Sequence, residues 1–140
     1  MAALTAARDT PEMAHPTSLV TERGIAGSTQ CYAGGIACLN ASGYVVPGAT
    51  STTLKTVGRF EKSALGTTNG AVTVPIRIGV FRFNNSSAGD AITIADVDTV
   101  CFVVDDQTVA KTNGTSTRSA AGTVFDVDAT GVWVLMGISD

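Results

Sequence analysis

Few side chains in this sequence are able to do acid–base or nucleophilic work, and their spacing does not suit it. The only histidine, His15, lies between Ala14 and Pro16. That stretch has no apolar pattern to hold a general base against a nucleophile. Cys31, Cys38 and Cys101 are odd in number and lack metal-ligand spacing. There is no Gly-rich phosphate loop, His-Glu-x-x-His or Cys-x-x-Cys. Aspartates do come in close pairs, at Asp96 and Asp98, Asp105 and Asp106, and Asp126 and Asp128. Carboxylate oxygens suit calcium, but none of these pairs forms a recognisable calcium loop. Aspartate also serves turns and caps, or an ion pair with a partner. The expectation is a protein without catalytic residues, cofactor or metal.

Charge is sparse and uneven. Of the 140 residues 44% are hydrophobic and only 15% charged, with a net charge of −3. A charged fraction well below the usual quarter leaves a surface of Ser, Thr, Gly, Asn and Ala. Residues 1–89 carry +3 and residues 90–140 carry −6, which reads first as a few solvated acidic turns on one edge of a sheet, with head-to-tail packing of copies as the alternative. The basic residues are scattered and not interleaved with aromatics, which argues against nucleic acid as a partner. Arg59, Arg77 and Arg82 are candidates for a shared polar contact face, although Arg82 lies beyond an expected bulge. The longest apolar runs, such as 100–104, are far too short for a membrane span. The first residues hold no cationic segment followed by an apolar core, so no secretory signal is expected. The cysteines then read as small buried thiols in a reducing compartment, with a Cys31–Cys38 hairpin bridge as the alternative.

Strand periodicity dominates the rest. In residues 72–83, Val72, Val74, Ile76, Ile78 and Val80 share one side, the period of two that a strand requires. Phe81 and Phe83 then fall on the opposite parity, and a bulge at Gly79–Val80 would bring them inward. Pro75 cannot donate to a ladder, which predicts an edge position or a bulge. The apolar run 99–104 predicts a central strand covered on both faces. Asn40-Ala41-Ser42-Gly43 predicts a tight hairpin with Gly43 in the left-handed position. The segment 127–132 repeats the residue types of 39–44 and predicts a second hairpin of the same kind. Thr93 is the expected cap of a single helical turn. Short strands at roughly ten-residue spacing predict an all-β fold, a small β-sandwich or barrel spanning residues 18–140. Residues 1–17 are broken by Pro11 and Pro16 and read as an extended N-terminal arm. It is either frayed or laid along a partner, with Leu4, Met13 and Leu19 as apolar anchors.

Several stretches together resemble a known family. They are 4–11 (with Arg8 and Pro11), 32–44, 57–59, 77–83, 95–98, 101–109 and the closing Gly131-Val132-Trp133-Val134. The chain resembles capsid decoration, or cement, proteins of tailed bacteriophages and prophages. The resemblance implies a structural protein of the virion. It would sit on the outer capsid surface between subunits of the major capsid protein, as a homotrimer made in the bacterial host cytoplasm. It implies no catalytic residue and no membrane partner. The arm, with Leu4, Arg8, Pro11, Met13 and Leu19, would bind capsid or a neighbouring copy. The alternative is another virion component, a head-fibre base or tail protein acting in attachment. An enzyme with a barrel site is the third reading, and the motif search offers it no residues.

Overall fold

A computed structural model describes residues 3, 5–8 and 19–137. Their architecture is all-β, built as a sandwich. The first sheet contains β1 (Val20–Gly24), β3 (Ile36–Leu39), β4 (Val45–Pro47), β5 (Lys55–Phe60) and β7 (Thr73–Arg77), in the order β1-β7-β5-β3-β4. The second contains β8 (Gly79–Phe83), β9 (Val100–Val103), β10 (Val109–Ala110), β11 (Ala120–Asp128) and β12 (Gly131–Met136), in the order β10-β9-β11-β12-β8. A two-stranded ribbon pairs β2 (Gln30–Cys31) with β6 (Ala64–Leu65). The Gly/Thr-rich segment after β5 therefore contains a short strand.

Two apolar clusters hold these layers. One joins Ile36 and Cys38 of the first sheet to Phe83, Val103, Val124, Val134 and Met136 of the second. The other uses the opposite face of the first sheet, with Ala37, Phe60, Val74 and Ile76, and adds Cys31 from the ribbon. The first sheet is thus buried on both faces, which explains why Ile36, Ala37 and Cys38 are all fully buried in succession. All three cysteines are free and buried.

The segment 72–83 departs from expectation in an informative way. It is not one strand with a bulge at Gly79–Val80. β7 lies in the first sheet and β8 in the second, with Ile78 between them. The phase slip is real, but its cause is a change of sheet. Val74 and Ile76 serve one cluster, and Phe83 serves the other with Phe81 packed against it. Pro75 is likewise not on an edge strand, since β7 pairs on both sides. Its missing donor falls where β5 ends, and there its carbonyl accepts the Glu61 N–H at 3.0 Å.

The two hairpins share a side-chain device and differ in their glycines. The Asn40 amide oxygen accepts the N–H groups of Ser42 and Tyr44, and Gly43 has φ +86° with open space around it. The Asp128 carboxylate accepts the N–H groups of Thr130 and Gly131, but a Cβ on Gly131 would run into the Phe83 carbonyl of the neighbouring strand. Close approach demands the second glycine; a left-handed turn demands the first. Ile94–Asp96 forms one short 3-10 turn, and the Asp96 carboxylate accepts the Thr93 N–H at 2.8 Å.

Strand β9 is not covered on both faces. Cys101 and Val103 point into the core, while Val100 is 48% exposed. The outward side of the second sheet is open among the described residues.

Candidate interaction surface

Alternation in the second sheet places Phe83, Val132 and Val134 inward. It therefore turns Arg82 and Trp133, which pair across β8 and β12, outward together. The Arg82 guanidinium carbon lies 5.8 Å from the Trp133 ring centre, within cation–π range. Two contacts brace this pair. The Trp133 Nε1–H donates to Asp128 Oδ2 at 2.9 Å, and Arg82 donates to the Thr130 hydroxyl at 3.1 Å. Hydrogen bonds from the Thr130 hydroxyl, the Trp133 indole and backbone N–H groups hold the Asp128 carboxyl well below the usual carboxylate range.

From the first sheet, Arg59 places its guanidinium carbon 4.0 Å from the Phe81 ring centre. Arg59 and Arg77 are cross-strand neighbours, and like charges there would repel. Glu61 resolves this. It hydrogen-bonds Arg59 and pairs with Arg77 Nε at 3.4 Å. Desolvation alone would raise the Glu61 pKa, but the two guanidinium groups outweigh it and hold the carboxyl below its ordinary value.

Arg59, Phe81, Arg82 and Trp133 line one groove of about 570 Å³ together with Gly34. Gly34 also borders a smaller cleft of about 340 Å³ between Tyr32 and Asp106. The expected polar face is thus split and partly rejoined. Arg59 and Arg77 meet around Glu61, and Arg82 belongs to the other sheet yet shares the groove with Arg59. Sequence reasoning missed Phe81, Trp133, Tyr32 and Glu61 as members. The parity of Val132-Trp133-Val134 was the signal that would have turned Trp133 outward.

The remaining candidates are placed as follows. Arg8 is exposed, and Leu19 is half-buried with its carbonyl accepting the Ile78 N–H at 2.9 Å. Leu4, Pro11, Met13 and His15 lie outside the described residues, as does most of the expected arm. The acidic pairs serve local structure: Asp105 accepts the Gln107 N–H at 2.9 Å, and Asp96 pairs with Lys111 at 3.6 Å. Among the described residues, no group of three or more His, Cys, Asp or Glu is arranged to hold a metal ion, and no helix is long and apolar enough to cross a membrane.

No protein-family model, curated protein or solved structure matches the chain.

Proposed function

We propose that this protein is a structural component of a phage virion. It decorates the outer surface of the capsid, as a homotrimer, and stabilises it by binding between subunits of the major capsid protein. The observation that carries this reading is a convergence. Stretches that carry the family resemblance and are distant in sequence, around Tyr32–Gly34, Arg59, Phe81–Arg82, Asp106 and Trp133, line a groove and a cleft that share Gly34. The residue types suit a protein contact, because Arg, Trp, Tyr and Phe are the side chains that anchor interfaces. The groove offers arginines held by aromatic rings and by Glu61, so little side-chain entropy is lost on docking. Many copies bound in parallel turn a modest contact into a strong hold on the shell.

The test is cosedimentation of the full chain with expanded, undecorated heads, followed by cryo-electron microscopy of the particles. Density for a β-sandwich across the whole outer shell, with the groove against capsid protein, supports the reading. Density confined to a vertex or the tail moves the protein to the attachment class. Heads that pellet without it refute decoration.

A further inference from the structure

The outward face of the second sheet carries a row, apolar except for Thr123, that the described chain covers only in part. Val100, Thr123, Leu135 and Val80 are successive cross-strand partners along β9, β11, β12 and β8. Alternation requires all four to point away from the core, and none of them is buried. Phe125 adds to the row through an irregularity in the ladder. The register between β11 and β12 shifts between Val124 and Asp126. A bulge of this kind sends two consecutive side chains to one side. Val124 is buried, whereas Phe125 is 62% exposed and Asp126 is exposed beside it. Val97, Phe125 and Leu135 border a cleft of about 380 Å³ on this face.

Charges of opposite sign flank Trp133 on this face, since Asp126 and Arg82 are its cross-strand partners. Arg82 stands on β8, the strand at one edge. Asp126 stands on β11, and Asp98 stands beside it, donating its N–H to the Val124 carbonyl. Asp98 and Asp126 are exposed, and among the described residues neither they nor Arg82 joins an ion pair. With this charge pair beside the apolar row, Arg82 of one copy is able to meet the carboxylates of the next around a closed ring.

We propose that this face takes a second copy of the same chain, with Arg82 of one copy against Asp126 and Asp98 of the next and the Val100–Val80 row and Phe125 buried between them. The continuous apolar character of 99–104 is then explained: β9 is covered on both faces once copies associate. This names the surface for the self-association part of the function proposed above; Arg82 and Val80 also line the groove, so the contact between copies borders the capsid contact.

Sedimentation velocity of the full chain over a wide concentration range tests it. The wild type is expected to assemble. Arg82→Glu and Asp126→Arg are each expected to weaken assembly by about tenfold, since each sets like charges against one another. The combined Arg82→Glu/Asp126→Arg chain is expected to recover it, because the pair is restored with its signs exchanged. Phe125→Ser is a further check that spares the core, and it is expected to reduce assembly with the circular dichroism spectrum unchanged. A trimer or a dimer with this pattern upholds the contact, and a dimer would overturn the trimer while leaving the face in place. A monomeric wild type overturns the proposal, as does a combined variant no better than the two single ones. Assembly without head binding would refute decoration and leave this contact standing.

Discussion

Arg59 sets its guanidinium carbon 4.0 Å from the centre of the Phe81 ring, and the two residues belong to different sheets. The contact closes the sandwich where the chain passes from β7 to β8. Glu61 holds the same guanidinium from the other side.

Arg59→Ala removes both contacts and leaves the Arg77–Glu61 pair in place. The expected cost is about 0.5–2 kcal/mol, because a partly exposed cation–π contact contributes about 0.5–1 kcal/mol and a screened ion pair adds no more than that. Urea unfolding measures it. Head binding is expected to fall further than stability does, since the groove loses one of its two guanidinium groups. Equal losses would mean that Arg59 acts only on the fold.

Two glycines separate backbone strain from crowding. Gly43 has φ +86° and open space where a Cβ would stand; Gly58 has φ +145°, and a Cβ there would meet the Arg77 carbonyl and the Ile76 side chain. Gly43→Ala is expected to cost about 1–2 kcal/mol, the ordinary penalty for a left-handed residue. Gly58→Ala is expected to cost about 2–4 kcal/mol, because strain and overpacking add. Chemical denaturation of both variants decides it, and a Gly58→Ala chain as stable as Gly43→Ala would contradict the packing.

What the sequence disclosed was whatever depends on local pattern. The period-two run from Val72 located β7, and Asn40-Ala41-Ser42-Gly43 disclosed its turn because the side-chain cap and the left-handed glycine are both local devices. The parity change before Phe81 was visible too. Its cause was not, since a bulge and a change of sheet flip side chains alike and differ only in which strands lie alongside. The arginine pattern had the same limit. Arg59 and Arg82 are brought to one groove by the packing of two sheets, which no spacing within either strand encodes. The 99–104 run was read as covered on both faces, and Val100 stands exposed in the single chain.

The three thiols offer a check on both clusters. Burial pushes Cys101 up to about 12. Burial and the nearby Asp106 charge push Cys31 up to about 11, and burial raises Cys38 as well. A thiol reagent at pH 8 meets almost no thiolate at such sites. Labelling of the native protein is expected to be slow at all three positions and to become rapid, together, across the denaturation midpoint. Fast native labelling of Cys31 would show that the ribbon of β2 and β6 opens independently of the sandwich.

Asp128 sets the acid side of the stability curve for the final hairpin. Its carboxyl is held below the ordinary range first by the Thr130 hydroxyl and then by the Trp133 indole. A depressed carboxylate contributes stability that is fully present above its unfolded value, about 3.9, and is lost as the pH falls toward the lower folded value. Asp128→Asn keeps the shape and removes the charge. The wild type is expected to melt higher than this variant at pH 7, with the gap closing progressively below about pH 4 as the wild-type carboxylate takes up its proton. Thermal melts at pH 7, 5, 3 and 2 make the comparison. Trp133 fluorescence reports the same event locally, because protonation weakens the acceptor of its Nε1–H. A gap in melting temperature that stays constant down to pH 2 would mean that the charge of Asp128 contributes nothing beyond its shape.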